Sequence, residues 1–299
     1  MSQRIGLQNG SPMDHIQERN GGYVIMKYEI PVKIDHVGLF SNNFHPASVM
    51  FELGFSGEGG CKEMPLDEHG QPPRCMRFVM DNCYLEFAVN RDPSKYGGAL
   101  HGINYLEFAS TNIVNTRDNA VEQGFTTTDL VHATRYADHG EKKGIAIFDC
   151  VAVKEDVIPN VEVESVCHAT RDLFYDNNRF LHDNGINRVS GIVLCNDDEE
   201  RINKVSNDLA KFDKGLGDWG EGTAIRTITF TDHQTLLDEL GVAAPQDCRN
   251  TVGIVLETPD YDTTAQWFRK FNGTVRETKY GILVDLVDKQ NMFFIVAKR

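Results

Sequence analysis

Apolar positions along the chain change their period in a regular order. Short stretches of alternating or continuous apolar residues, typical of strands, are each followed by one stretch with helical spacing and then by further strands. Four segments begin in this way, with opening strands predicted at residues 33–40, 102–110, 189–195 and 251–257. The sequence therefore indicates an internal fourfold repeat, and this repeat limits the folds that the chain can adopt.

Each opening strand is followed by one predicted helix and two or three further strands. The helices are predicted at residues 46–53, 113–123, 198 to about 212, and 261–271. The later strands are predicted at 77–80, 83–89, 128–136, 144–153, 161–168, 224–230, 275–278, 281–287 and 292–297. Asn196-Asp197 suits an N-terminal helix cap and Gly124 a C-terminal one. A single unit is too small to be stable alone, so we expect the units to pair.

The repeat also predicts how the chain is divided. Residues 1–30 show no periodicity and are interpreted as a loose N-terminal arm. The first two units form a predicted N-terminal domain at 31–175, and the last two a C-terminal domain at 187–299. The polar segment between them contains Asp183-Asn184-Gly185, a turn signal, and is predicted to be the linker.

Composition and charge narrow the classes of function. The 299 residues are 40% hydrophobic and 25% charged, which is typical of a globular protein. A formal net charge of -14 opposes binding to nucleic acid or to an anionic membrane surface, so we expect neither partner. No apolar run approaches the ~20 residues of a membrane span, and we expect a cytoplasmic protein. The seven cysteines lack CxxC spacing and are interpreted as reduced thiols.

Three segments carry a resemblance to a known family. They are the opening strand Ile34-Asp-His-Val-Gly-Leu-Phe, the closing strand Tyr84-Leu-Glu-Phe, and a central stretch with His168-Ala-Thr-Arg-Asp, Phe174-Tyr and His182-Asp-Asn-Gly. The chain resembles the vicinal oxygen chelate superfamily over residues 33–299, and most of all its glyoxalase-like members. The resemblance implies an α+β fold in which four βαβββ modules pair into two curved half-barrels, each forming a cup that can hold a divalent metal ion.

Strand periodicity supports such a cup independently. Side chains alternate along a strand, so His36 shares a face with Gly38, whose small size leaves room beside a ligand. On the strand predicted at 83–89, Glu86 lies opposite an apolar face and is expected to point into the cup. On the strand predicted at 161–168, the even-numbered positions from Glu162 to His168 share one face.

The resemblance maps the metal ligands to His36 and Glu86, with His168 as the third. Two imidazoles and a carboxylate suit divalent Fe, Mn, Zn, Ni or Co, and the sequence does not choose among them. Structural alternatives stay open at each position: His36 and His168 as hydrogen-bonded strand histidines, and Glu86 as an ion-pair partner of Arg77. The strand at 161–168 supplies reserve ligands, Glu162 and Glu164.

Further residues are assigned to catalysis and substrate binding. Glu86 or Glu164 is the predicted catalytic carboxylate that moves a proton. Arg171, His182 and Asn104 are predicted substrate-binding residues, although His182 would equally suit the turn that follows it. Asn104 stands where many glyoxalases have a histidine. The opening strands of the C-terminal half contain no histidine, so we expect that half to support the first or to be a remnant of duplication.

Three hypotheses about function follow. The first is a metal-dependent enzyme that chelates adjacent oxygen atoms of a small-molecule substrate, as a glyoxalase-like lyase or isomerase or as a dioxygenase. The second is a metal-free protein of the bleomycin-resistance type that binds or sequesters a small molecule. The third is an interaction protein in which the repeat serves assembly only. Exposed sheet edges also leave a homodimer open.

Overall fold

The structure is a computed structural model. It describes residues 27–30, 34–41, 45–57, 75–81, 83–89, 102–139, 142–155, 157–158, 161–173, 181–198, 200–205, 207–208, 225–230, 232–243, 251–271, 274–287 and 292–297. The loose arm up to residue 26, the aromatic pair Phe174-Tyr175 and much of the predicted linker lie outside the described residues.

The described residues form two sheets and several helices. The strands are β1 (Lys27–Ile30), β2 (Ile34–Ser41), β3 (Cys75–Val79), β4 (Tyr84–Val89), β5 (Ile103–Ala109), β6 (Val131–His139), β7 (Lys142–Ala152), β8 (Glu162–His168), β9 (Arg188–Cys195), β10 (Ile225–Phe230), β11 (Thr251–Glu257), β12 (Val275–Thr278), β13 (Gly281–Asp285) and β14 (Phe293–Ala297). The helices are α1 (His45–Glu52), α2 (Ile113–Glu122), α3 (residues 200–205 and 207–208), α4 (His233–Leu240) and α5 (Tyr261–Phe268). A single 3-10 turn spans Arg171–Leu173.

The predicted α+β fold with two curved domains is confirmed. The N-terminal sheet has the strand order β3-β4-β2-β5-β8-β7-β6, and the C-terminal sheet has the order β1-β10-β9-β11-β14-β13-β12. In every module the opening strand is parallel to a later strand: β2 to β4, β5 to β8, β9 to β10 and β11 to β14. Modules join through antiparallel pairs, β2 with β5 and β9 with β11.

The third module departs from the repeated pattern in the described part of the chain. Its opening strand and α3 are followed by β10 and then by a helix, α4, which the sequence analysis did not predict. The edge beside β10 is occupied by β1, which comes from the other end of the chain and pairs antiparallel with it. The last four residues of the predicted arm therefore belong to the C-terminal sheet.

Helix ends follow local capping rules. The Asn112 side chain accepts a hydrogen bond from the Asn115 amide at the start of α2, and Gly124 has φ +92° after its end. The predicted cap of α3 was wrong by one residue: the Arg201 amide donates to Asp198 Oδ1 at 3.1 Å, while Asn196 instead accepts from the Asp198 amide.

One apolar cluster contains residues from both sheets, including Leu85 and Phe108 of the N-terminal sheet and Ile254 and Phe294 of the C-terminal sheet. Burial of this apolar surface is the main force that holds the two halves together. Among the described residues, no helix has both the length and the apolar character needed to span a bilayer.

Candidate functional site

A cavity of about 350 Å³ lies on one face of the N-terminal sheet. Its titratable lining residues are His36, Tyr84, Glu86, Tyr105, Glu107, Cys150, Glu162, Glu164 and His168. The predicted alternation along β8 is confirmed, because Glu162, Glu164 and His168 line the cavity while Val163 packs in the apolar core. Glu86 on β4 faces the cavity as expected.

His36 lies between carboxylates on both sides of its ring. Its Nδ1 is 2.8 Å from Glu107 Oε2 and 3.1 Å from Asp35 Oδ1, and its Nε2 is 3.8 Å from Glu86 Oε2. The Tyr84 ring stacks on the imidazole with 4.4 Å between centroids and 12° between planes. Burial lowers the pKa of His36, but Glu107, Asp35 and Glu86 together outweigh burial and raise that pKa. The carboxylates around His36 therefore favour positive charge at this position.

Asp35 joins His36 to His168, and the sequence analysis missed it. The side chain is 0% exposed, and its Oδ1 is 3.2 Å from His168 Nε2 as well as 3.1 Å from His36 Nδ1. Burial opposes ionisation of Asp35, yet His168 and His36 hold its pKa well below the usual range. Arg171 Nη1 adds a longer contact of 3.5 Å to Oδ2.

A break in strand register explains why periodicity failed at Asp35. In the β2–β5 pairing, Ile34 lies opposite Phe108 while His36 lies opposite Glu107, so one residue of β2 has no counterpart. Such a β-bulge places an extra residue in one strand and redirects its side chain. Asp35 and His36 consequently act in the same cluster although they are adjacent in sequence.

Glu107 is the second site residue that the sequence analysis missed. It is 3% exposed, lines the cavity and contacts His36. Burial raises the pKa of Glu107; His36 opposes this effect, and the nearby carboxylates add to it. A signal existed, because Tyr84-Leu-Glu-Phe-Ala on β4 recurs letter for letter at Tyr105-Leu-Glu-Phe-Ala on β5. The recurrence gives Glu107 the same place in this five-residue motif as Glu86.

Tyr105 and Cys150 complete the cluster. The Tyr105 hydroxyl donates a hydrogen bond to Glu164 Oε2, and burial and the carboxylates raise the pKa of Tyr105 well above its usual value. Cys150 Sγ is 3.5 Å from Glu107 Oε1. Gly38 lines the cavity, and a Cβ there would lie 2.6 Å from Tyr105 Cβ, so its small size also admits Tyr105.

The other predicted residues are distributed around this cluster. Arg77 on β3 lies directly opposite Glu86 in register, so both roles considered for Glu86 keep a structural basis. Asn104 is buried on β5, on the face shared with Leu106 of the core, whereas Tyr105 lines the cavity. His168 and His36 both contact Asp35, which links the two imidazoles.

His182 lies away from the cavity, at the junction between the two halves. Its ring packs 5.2 Å from that of Phe55, and the Ser56 amide donates to His182 Nδ1 at 2.9 Å. An Nδ1 that accepts a hydrogen bond cannot hold a proton, so this contact requires a neutral ring. Burial lowers the pKa of His182 to about 4, against the opposing effects of Val79 and Asp183.

The depressed pKa of His182 predicts a specific loss of stability in acid. The unfolded chain binds a proton at His182 below about pH 6.5, whereas the folded chain does not until about pH 4. The stabilising contribution is therefore complete above pH 6.5 and decreases as the pH falls towards 4, by up to about 3 kcal/mol. Urea unfolding of the wild type and His182→Gln across this range measures it. Equal pH slopes for the two proteins would contradict the prediction.

Two groups of donor atoms are close enough to hold a metal ion. One consists of Asp35, His36 and Glu107, and the other of Glu107, Cys150 and Glu164; within each group the donor atoms lie within 4.8 Å of one another. Both groups belong to the N-terminal sheet and share Glu107. Nitrogen and oxygen donors of this kind suit divalent transition metals.

No known protein-family profile and no curated protein matches the chain. Solved structures do match. A hypothetical protein from Staphylococcus aureus has 9% sequence identity and a TM-score of 0.50, covering 88% of this chain and 97% of its own. A xylose isomerase-like TIM barrel/4-hydroxyphenylpyruvate dioxygenase fusion protein has 12% identity and a TM-score of 0.50, covering 89% of this chain and 49% of its own.

A third similar structure is methylmalonyl-CoA epimerase from Mycobacterium tuberculosis, with 16% identity and a TM-score of 0.33, covering 50% of this chain and 97% of its own. At these identities a likeness concerns the fold. The observed fold, with paired modules in two sheets, is the one that the resemblance to the vicinal oxygen chelate superfamily implied.

Proposed function

We propose that this protein is a metal-dependent enzyme that binds two adjacent oxygen atoms of a small molecule in the cavity of the N-terminal sheet. The observation that carries this proposal is the position of His36, an imidazole on the cavity wall with Glu86 and Glu107 on either side. Such a set of donors is typical of a metal centre with open coordination positions.

The charges around His36 favour a cation. Four carboxyl groups line the cavity, those of Glu86, Glu107, Glu162 and Glu164, and the fully buried Asp35 lies behind His36. Burying carboxylates is unfavourable unless positive charge compensates them. A divalent ion would add two positive charges beside these carboxyl groups.

Asp35, His36 and Glu107 form a donor group that does not include Glu86, so the Glu86 side chain has to turn towards Glu107 to join it. We assign the ion to His36, Glu86 and Glu107, with His168 and Asp35 behind them. This differs from the sequence-based set in one position, because His168 Nε2 contacts Asp35 Oδ1. Asp35 would orient His36, as carboxylates that hydrogen-bond to ligating histidines do in other metal sites. When bound, a divalent ion acts as a Lewis acid that stabilises negative charge on substrate oxygens.

The chain itself supplies a group that can move a proton. Glu164 lines the cavity and accepts a hydrogen bond from the Tyr105 hydroxyl, which orients the carboxylate. A carboxylate held beside a bound substrate can take a proton from a carbon next to a carbonyl group and return it to a neighbouring atom. We therefore infer a lyase or isomerase reaction, with Glu164 as the base and Tyr105 as its positioning residue.

Metal analysis of the purified protein tests the proposal. We expect about one divalent ion per chain after equilibration with Mn, Fe, Co, Ni or Zn and removal of free metal, and loss of that ion in His36→Ala. The control is His132→Ala, which removes an exposed histidine of the same sheet that pairs with Asp149 at 2.7 Å. Retention of the ion by His36→Ala, or a wild type that binds no ion, would contradict the assignment of a metal site at His36. The second result would favour metal-free binding of a small molecule.

A second measurement addresses the reaction. With 2-hydroxyacetophenone, which has adjacent oxygens and an acidic C–H bond, we expect exchange of hydrogen for solvent deuterium that is lost in Glu164→Gln. Oxygen uptake with catechol, without such exchange, would instead assign the cavity to a dioxygenase.

A further inference from the structure

We propose that the cavity selects small aromatic molecules that carry no negative charge. The proposal deepens the function above and rests on it for the pair of adjacent oxygens. The preference for an aromatic, non-anionic compound is argued from the cavity wall alone.

The charged side chains of the cavity wall are mainly acidic. Its described lining residues include four carboxyl groups and neither lysine nor arginine. Two arginines adjoin the site, but each lies beside an acidic residue: Arg77 is opposite Glu86 in register, and Arg171 contacts Asp35. An anionic group inside the cavity would meet carboxylates without a guanidinium or ammonium partner to offset them.

A bound metal ion does not reverse this charge. Its two positive charges and those of Arg77 and Arg171 are still fewer than the five carboxyl groups of Asp35, Glu86, Glu107, Glu162 and Glu164. Of these, Glu162 and Glu164 on β8 are not assigned as ligands, and both face the same space. A substrate with a carboxylate or phosphate would therefore be repelled, whereas a neutral or cationic one would not.

The rest of the wall is aromatic and aliphatic, and Phe148 on β7 adds an aromatic ring to the aliphatic part. Tyr84 stacks on His36, and the Tyr105 ring lies 5.4 Å from the same imidazole. Aliphatic lining comes from β6 and β7, with Val131, Ala133 and Val151. Flat apolar rings pack well against such surfaces, and tyrosine faces also attract cations.

The size of the cavity limits the ligand. Its volume of about 350 Å³ is roughly twice that of the ~150 Å³ cavity known to bind benzene. A molecule with one or two rings therefore fits inside. A larger molecule would extend beyond the residues that line the cavity.

Three catechols whose ring substituents differ in charge test the inference. Catechol is neutral, dopamine carries an ammonium group and protocatechuate carries a carboxylate. Binding is measured by calorimetry on manganese-loaded and metal-free protein, without oxygen. We expect protocatechuate to bind at least about tenfold more weakly than catechol and dopamine to bind no more weakly, with differences that shrink at high salt.

Glu162→Gln separates charge from shape, since it removes one carboxylate that the proposed function leaves unligated. We expect this variant to bring protocatechuate several-fold closer to catechol. The matched control is Asp149→Asn on β7, an acidic residue outside the cavity lining that pairs with His132. It should leave the ratio unchanged.

Three results would overturn the charge selection: equal or tighter binding of protocatechuate, a ratio unaffected by Glu162→Gln, or no binding of any of the three compounds. Metal content measured on the same samples keeps the two proposals apart. A protein that holds an ion but prefers protocatechuate refutes only the charge selection. A protein that holds no ion but keeps the expected order refutes only the metal-dependent function.

Discussion

Replacing Asp35 with alanine should lower the free energy of unfolding by about 3–5 kcal/mol. The carboxylate is fully buried, and His36 and His168 both contact the same oxygen atom. Removing it would take this contact from both imidazoles and open a cavity between them, leaving Glu107 as the carboxylate at His36 Nδ1. Urea unfolding at neutral pH, followed by tryptophan fluorescence, measures the loss.

The same network should matter for metal binding. Asp35→Asn keeps the size of the side chain but not its charge, so it should fold better than Asp35→Ala. We expect it to bind the metal ion about 10–100-fold more weakly, the usual effect of losing a carboxylate behind a ligating histidine.

Asp149→Ala is the matched control for Asp35→Ala. Asp149 also contacts a histidine of the N-terminal sheet, His132 at 2.7 Å, but that pair is exposed. Exposed ion pairs contribute little, so this variant should stay within about 1 kcal/mol of the wild type. If the two alanine variants lost the same stability, burial of Asp35 between two imidazoles would not be what stabilises this region.

Replacing Gly54 with alanine should destabilise the junction between the two halves by about 2–5 kcal/mol. Gly54 follows α1 with φ +87°, a conformation that disfavours a Cβ atom, and an added Cβ would lie 2.6 Å from Trp267 Cζ2 of α5. The ring cannot move freely, because Trp267 Nε1 donates to the Leu53 carbonyl at 3.0 Å. The Asn184 side chain donates to the same carbonyl at 3.1 Å.

Gly124→Ala separates the cost of placing a Cβ atom at positive φ from the cost of its contact with Trp267. Gly124 has φ +92°, but within the described part of the chain nothing lies within 4 Å of an added Cβ. It should therefore lose only the conformational share, about 1–2 kcal/mol. Thermal or urea unfolding of the two variants gives the difference due to Trp267. Equal losses would mean that Gly54 and Trp267 do not pack as closely as the structure places them.

Much of the fold could be predicted because its signals are local. The helix α2 begins after Asn112 and ends before Gly124, as the capping residues indicate. The opening strands predicted at 102–110 and 251–257 appear as Ile103–Ala109 and Thr251–Glu257. The missed helix α4 carried local signals too, since Asp232 caps its start and Gly241 follows its end with φ +66°.

In the candidate site, too, local patterns predicted some residues and could not predict others. Alternation, together with the cup that the family resemblance implied, placed His36, Glu86, Glu164 and His168 on the cavity wall, where the structure has them. Their assignment as ligands or bases stays a prediction that the experiments above test. Alternation also assigned Asp35 to the opposite face, and no local pattern marks the bulge that brings it to His36.

By itself, the sequence determined the repeated strand–helix–strand units, the α+β class and the inward faces of the cavity strands. Each of these depends on residues a few positions apart, through side-chain periodicity and capping. Only the tertiary structure decided that β1 completes the C-terminal sheet, that Glu107 lies against His36, and that His182 stands at the junction instead of the cavity. These depend on strand register and on contacts between distant segments, which the packing of the whole chain fixes.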